Sequence, residues 1–490
     1  MSTHRAEIRR ASLLLVVTTL CVVTGAQPAV GDSHQHPGAA LVDTWVDAVR
    51  AVDTATWSIV VLDESGNVRF AHDATRGLLP ASTLKIVTAA AAVTALGPDA
   101  TFVTRVEAQA PPTDGTVIGD LALVGGWDPT LATDAFSRWA YPDRPAARLA
   151  QLADRIVAAG VDRVTGGVVA TARPDSAERL APGWPERYLD DLDARYNTGL
   201  TIDAGLRVEY QWPEGAEPPS VAPSGTNDDT SPQPDKVIAS LSLYPELRAA
   251  LELDELLRAR GVDIGARPRR ARSPAPPRQE IARLVSPPLR AMVENFVRTS
   301  DNHLADTVFR ALGVAQFDDA SWEAGGAATR DALHELGVDL AGSEVVDGSG
   351  LSRDNRLSAR TLADVDQRMW VGDHAGTWKG ALAVAGESGT LRRRLTGSVA
   401  EGRFQGKTGS LRDVMAISGA IDGSTRRLHV AVIINDVSGT DRQLARAAID
   451  RTLELLTVWA DGCEVQIAAP EDAQDLNERV RSPGALTAVC

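Results

Sequence analysis

Pro80-Ala81-Ser82-Thr83-Leu84-Lys85 runs into Ile86-Val87-Thr88 and four consecutive alanines, and the run stops after Leu96 at Gly97-Pro98. Proline before the run and Gly-Pro after it bound a strong helix over residues 82–96. Ser82 lies in its first turn, and Lys85, three residues on, shares that face. A serine hydroxyl is a weak nucleophile that needs a base, and lysine becomes one where desolvation and a nearby positive charge lower its pKa. The chain uses lysine sparingly. Of its 50 basic residues only Lys85, Lys236, Lys379 and Lys407 are lysines. Arginine does not release its proton near neutral pH, so each retained lysine is a candidate for chemistry arginine cannot perform.

Working outward from this helix, residues 57–62 read as a strand, Glu64-Ser65-Gly66-Asn67 as a turn and Val68-Arg69-Phe70 as the returning strand. From about 100 to 283 short apolar runs (117–124, 164–170, 206–210) alternate with proline-rich polar loops (213–234, 268–277), the texture of a separate strand-containing insertion. Helical patterning resumes over 288–312, 322–336 and 358–370. Two strands, 415–421 and 428–435, follow around Asp422-Gly423, and an amphipathic helix spans about 441–459. A hairpin at one end, with strands and a helix at the other, predicts an α/β sandwich closed by both ends of the chain.

The length of 490 residues implies two or three domains. A net charge of −15 argues against a nucleic-acid partner, whose phosphates it would repel. Arg5, Arg9 and Arg10, an apolar run over 11–23 and the small residues Thr24-Gly25-Ala26 have the order of a secretory signal cleaved near Ala26. The run is short for a membrane span. Removal of the signal would take Cys21 with it and leave Cys463 and Cys490, either paired as one disulfide or as two thiols. No transmembrane segment is expected in the mature chain, and its location is expected to be extracytoplasmic.

Two more motifs follow the first: Ser300-Asp301-Asn302, then Lys407-Thr408-Gly409 just before the strand pair. A chance Ser-x-x-Lys is expected roughly 0.2 times in such a chain, so the first motif alone is only suggestive. The three in this order are a strong signal. Longer stretches extend it: Ser286-Pro287-Pro288-Leu289, Asp301-Asn302-His303-Leu304-Ala305-Asp306, Asp347-Gly348-Ser349-Gly350-Leu351-Ser352, Gly389-Thr390-Leu391 and Gly406-Lys407-Thr408-Gly409-Ser410-Leu411. Together with Gly126-Trp127-Asp128-Pro129-Thr130-Leu131 and Leu180-Ala181-Pro182-Gly183-Trp184-Pro185, they resemble the D-alanyl-D-alanine carboxypeptidase/endopeptidase family, the class C low-molecular-mass penicillin-binding proteins, over about 45–460. The chain departs from that family at Trp127, where glycine is usual, and at Asp306, where glutamate is usual.

The resemblance implies a penicillin-binding/β-lactamase-like transpeptidase sandwich, an antiparallel sheet with helices, carrying a large inserted strand-rich region. The expected boundaries are a signal peptide at 1–26, the catalytic domain at 40–100 and 284–465, the insertion at 101–283 and a tail at 466–490. It also implies a serine-type carboxypeptidase acting through an acyl-enzyme on peptidoglycan stem peptides ending in D-Ala-D-Ala. β-Lactam antibiotics would be covalent inhibitors, and no cofactor or metal is called for.

By resemblance, Ser82 is the nucleophile, Lys85 its base, and Lys407 the cation beside them. Ser300 relays a proton to the departing D-alanine, and Asn302 holds the substrate amide and bonds Lys85. Backbone N–H groups of Ser82 and Ser410 form the oxyanion hole, and Lys407, Thr408 and Ser410, with Gly409 between them, grip the terminal carboxylate. Asp301 and His303 read as structural, and Lys236 and Lys379 as surface residues. A β-lactamase or esterase on the same fold is disfavoured. Ser82 and Ser300 lie 218 positions apart, and no Glu-x-x-Leu-Asn falls between Ser300 and Lys407. A non-catalytic cell-wall binding protein is disfavoured by the intact motif set.

Overall fold

The computed structural model describes residues 52, 54–142, 144–211, 236–271, 278–437, 439, 441–467 and 486–489. The proposed signal, most of both proline-rich loops, Cys21 and Cys490 lie outside them. In chain order, β1 (Thr56–Asp63) and β2 (Val68–His72) form the expected hairpin. Asp63 Oδ1 closes its turn by accepting from the backbone N–H of Ser65 (3.0 Å) and Asn67 (2.9 Å). A 3₁₀ turn, Ala81–Thr83, leads into α1 (Leu84–Leu96).

The chain then builds β3 (Val103–Ala108), β4 (Leu121–Gly125), α2 (Leu149–Ala158), β5 (Val168–Ala172), α3 (Pro245–Ala259), β6 (Arg269–Arg270) and β7 (Gln279–Val285). These strands make their own mixed sheet in the order β6-β5-β4-β3-β7, parallel across β6-β5-β4 and antiparallel beyond. The inserted region therefore contains helices as well as strands, among them two shorter ones at Asp134–Ala140 and Arg187–Asp190.

Helices α4 (Leu289–Thr299), α5 (Asn302–Phe317), α6 (Trp322–Glu335) and α7 (Ala359–Val371) follow. Next come β8 (Ala383–Val384), β9 (Phe404–Leu411), β10 (Val414–Asp422), β11 (Arg427–Asn435) and α8 (Asp441–Ala460). The main sheet is antiparallel throughout, ordered β8-β9-β10-β11-β1-β2, so β1 closes against β11 from the far end of the chain.

Side chains on these strands alternate between two cores. Val60, Leu62, Ala416, Ala420, Ala431 and Ile433 face α1, α4, α5 and α7. Ile59, Val61, Ile417, Val430 and Val432 face α8 through Ile449, Leu453 and Leu456. Burial on both faces explains why the strands read as continuous apolar runs. Three of the six residues on the first face are alanines, and α7 is the helix that lies across β1, β10 and β11 there. The insertion has its own core, with Leu121, Leu123, Leu152, Ile156, Leu253 and Leu257. It also contributes Phe136, Tyr141 and Leu206 to the core around α1.

Two local features have clear physical causes. Trp127 has φ +63°, in the left-handed region that suits glycine. The Trp127 backbone N–H donates to Gly199 O at 3.0 Å, its indole N–H to Pro174 O at 3.2 Å, and the Arg310 guanidinium lies 4.6 Å from its ring and 4.9 Å from that of Trp322. Beneath the sheet, fully buried His429 and Asp366 are hydrogen-bonded at 2.7 Å, and Trp378 Nε1 donates to the same carboxylate at 2.9 Å. Asp366→Ala would leave both ring nitrogens without that acceptor. The expected cost is about 3 kcal/mol of stability, read as a lower denaturant midpoint.

Cys463 is disulfide-bonded. No helix among the described residues is long and apolar enough to cross a membrane.

Candidate active site

The turn at Ala81–Thr83 sets Ser82 just ahead of α1 rather than within it. Ala81 adopts φ +49°, a strained value for a residue with a Cβ, and Thr83 Oγ1 ties the turn by donating to Pro80 O at 2.6 Å. Gly350 packs against the Ala81 carbonyl so closely that a Cβ there would lie 1.9 Å from the oxygen. Lys85, in the first turn of α1, is fully buried. Its Nζ donates to Ser82 Oγ (3.2 Å), Asn302 Oδ1 (2.7 Å) and Ser349 O (2.7 Å). Once Lys85 is neutral, its two remaining N–H groups can stay on Asn302 and Ser349, which aims the nitrogen lone pair at Ser82 Oγ.

The helical patterning over 288–312 is broken where the second motif sits. Ser300 takes φ +67° and ends α4, while Asp301 Oδ1 caps α5 by accepting from Leu304 N at 3.0 Å. That break presents Asn302 at the start of α5, facing Lys85. Asn302 Nδ2 donates to Asp193 O at 3.0 Å, so a carbonyl from the insertion fixes which way the amide points. Among the described residues, the Ser300 hydroxyl makes no hydrogen bond to Lys85 or Lys407.

The third motif lies inside β9, not ahead of the strands. Lys407 pairs with Ser418, and Gly409 with Ala416. Glycines and polar residues hide this strand from a reading by periodicity. Gly409 is where β9 passes the Ser82 turn. A Cβ there would lie 2.7 Å from Pro80 O and 3.1 Å from Thr83 N. β8 pairs with β9 only at Gln405 and Gly406, so among the described residues the outer edge from Lys407 onward has no strand partner. Lys407 is fully buried and donates to Thr408 O at 2.7 Å. Thr408 Oγ1 donates to Thr390 Oγ1 at 3.0 Å.

Burial lowers the Lys85 pKa to about 8, against the opposing pull of the carboxylates of Asp306, Asp347, Asp301 and Asp193. Desolvation, rather than a neighbouring cation, is therefore the main cause. Lys407 is held well below the ordinary lysine value, first by burial and then by the charge of Lys85. Asp306 is pushed well above the carboxylate range by burial and by Asp347, with Lys85 opposing.

Residues 347–352 form a support that has no counterpart in the three motifs. Asp347 accepts from Gly350 N (2.8 Å), Ser352 N (2.7 Å), Asn355 Nδ2 (2.8 Å) and Trp184 Nε1 (2.7 Å). Gly348 N donates to Asp306 Oδ1 at 3.0 Å. These bonds fix the Ser349 carbonyl that Lys85 uses. Asp193 and Trp184, both from the insertion, thus help hold Asn302 and this support in place. Ser82, Lys85 and Asn302 meet directly, and Gly409 brings β9 against the Ser82 turn. An open pocket of about 580 Å³ continues from Ser410 past Tyr188, Asp191 and Asp193. Chemically, the centre pairs a hydroxyl with a buried amine of lowered pKa beside an unpartnered strand edge, which suits acyl transfer on an extended peptide.

Residues 39–225 and 231–456 match the model of the D-Ala-D-Ala carboxypeptidase 3 (S13) family. The chain is 30% identical over 538 residues to a D-alanyl-D-alanine carboxypeptidase of an Actinomadura species, covering 98% of this chain and 96% of that protein. It is 31% identical over 395 residues to a carboxypeptidase of Mycobacterium tuberculosis, covering 79% of this chain and 76% of that one. Among solved structures, penicillin-binding protein 4 of Haemophilus influenzae superimposes with a TM-score of 0.69 at 20% identity, over 86% of this chain and 99% of that one. That likeness is one of fold.

Proposed function

Because the chain belongs to the D-Ala-D-Ala carboxypeptidase 3 (S13) family and is a serine-type carboxypeptidase, we propose that Ser82 is its nucleophile and Lys85 its general base. Neutral Lys85 takes the Ser82 proton as Oγ attacks the carbonyl of the penultimate D-alanine. The negative oxygen of the tetrahedral intermediate is received by the backbone N–H groups of Ser82 and Ser410. The C–N bond then breaks, and the departing D-alanine amine takes a proton relayed through Ser300. Water hydrolyses the acyl-enzyme, again with Lys85 as base. Asn302 orients Lys85 and holds the substrate amide, while Thr408, Gly409 and Ser410 line the strand edge on which the peptide lies.

The single observation carrying this reading is the Lys85 ammonium, buried, shared between Ser82, Asn302 and Ser349, and lowered to about 8. β-Lactams would acylate the same serine, and with no Glu-x-x-Leu-Asn segment the adduct would persist. Export, followed by action in the extracytoplasmic wall, rests on the signal read at 1–26. The insertion, proposed as a unit spanning 101–283, would act partly by bracing the centre through Asp193 and Trp184.

Gly409→Ala should displace β9 from the Ser82 turn. The expected result is about 10²-fold slower acylation by penicillin with the fold retained, read by stopped-flow acylation beside circular dichroism. For the substrate, purified protein is given a D-Ala-D-Ala pentapeptide and, separately, a cross-linked muropeptide. Release of free D-alanine from the first supports carboxypeptidase action, and cleavage of the second adds endopeptidase action. Turnover of neither would overturn the proposal.

A further inference from the structure

Arg442, the second residue of α8, reaches back to the turn that joins β9 to β10. Its Nη2 donates to Ser410 Oγ at 2.7 Å, and its Nη1 donates to Arg412 O at 2.8 Å and to Leu411 O. A guanidinium carries five N–H donors in a rigid fork, and these contacts use three of them. Arg442 and Ser410 line the same open pocket beside the strand edge. Two other arginines line it, but Arg187 and Arg412 are exposed, and the Arg187 guanidinium lies over the Tyr188 ring at 4.7 Å. Arg442 is the arginine of the three whose side chain is fixed to Ser410, the residue that follows the third motif.

We propose that Arg442 is the cation that receives the terminal carboxylate of the substrate, acting beside Ser410, and so makes the enzyme demand a free carboxyl end. The assignment rests on the acyl-transfer reading above. A carboxylate leaving water needs a partner that stays charged and can offer two parallel N–H groups, which is what a guanidinium supplies. Lys407 is a poorer partner. It is fully buried, its ammonium is engaged by Thr408 O, and both burial and Lys85 press it toward the neutral form. Ser410 then works with Arg442, its hydroxyl accepting from the guanidinium and donating its own proton to the carboxylate.

The test compares wild type, Arg442→Ala, Arg442→Gln and Arg442→Lys on two acyl donors. One is a D-Ala-D-Ala peptide with a free carboxyl end; the other is an N-acyl-D-alanyl thioester whose thiol leaving group carries no carboxylate. The expected result is a loss of about 10²-fold in kcat/KM on the peptide for the Ala and Gln variants, mostly in KM. Thioester turnover should stay within about 3-fold, with the Lys variant intermediate on the peptide. Circular dichroism checks that each variant is folded. Equal losses on both donors would make Arg442 a strut of the β9–β10 turn and overturn the proposal. Failure of the acyl-transfer reading looks different, because wild type would then turn over neither donor.

Discussion

Ser82→Ala is expected to abolish turnover of D-Ala-D-Ala peptides, with a fall on the order of 10⁴-fold or more, and to leave no penicillin adduct. The size follows from covalent catalysis, because removing Oγ removes the atom to which the acyl group is transferred. Ser82 is only partly buried, and its side chain spans one short contact, to Lys85. The substitution should therefore cost little stability. Lys85 would keep Asn302 Oδ1 and Ser349 O as acceptors, so its surroundings survive the change. Activity is read by D-alanine release and stability by thermal denaturation. Residual turnover within 10-fold of wild type would place the nucleophile elsewhere.

Lys85→Arg should be nearly as damaging, at about 10³-fold in acylation, although it preserves charge. Guanidinium does not deprotonate in this range, and its planar fork cannot serve three acceptors arranged around a single nitrogen. The wild type should also show a characteristic pH dependence. A base must be unprotonated, and the Lys85 pKa is lowered to about 8. Acylation should therefore rise roughly tenfold per pH unit below that value and level off above it, as the neutral fraction does. Lys85→Arg should lack this limb. A wild-type rate independent of pH between 6 and 9 would remove Lys85 from the role of base.

Part of this centre was legible in the sequence because it depends on local spacing. Ser82 and Lys85 are three residues apart before an alanine-rich helix, a spacing that marks them as neighbours, although the 3₁₀ turn that sets Ser82 ahead of α1 was not legible. The hairpin at 56–72 and the strands near 415 and 430 were legible too, since apolar runs bounded by turn residues carry their own signal. β9 was not, because Gly406, Gly409 and Ser410 lack strand propensity and the run shows no apolar alternation. Its strand state comes from pairing with β10. Helices α2 and α3 were missed within the insertion; α3 lies between the two proline-rich loops, and short apolar runs between turn signals drew the reading toward strands.

The remaining partners are long-range, and the sequence does not say what each one touches. Ser349 and Asp193 act through backbone carbonyls, which no residue type announces. Arg442 meets Ser410 from 32 positions away, by virtue of how α8 starts. Trp127 could be seen as unusual in the sequence, but its partners, Arg310 over its ring and Pro174 O on its indole N–H, required the fold.

The most direct measurement is the intact mass of the mature protein after incubation with penicillin, followed by peptide mapping of the adduct. The expected result is a single stable addition equal to the mass of one penicillin, on the peptide that contains Ser82, and none in Ser82→Ala. An unchanged mass for the wild type, or an adduct that maps to another residue, would contradict Ser82 as the acylated nucleophile.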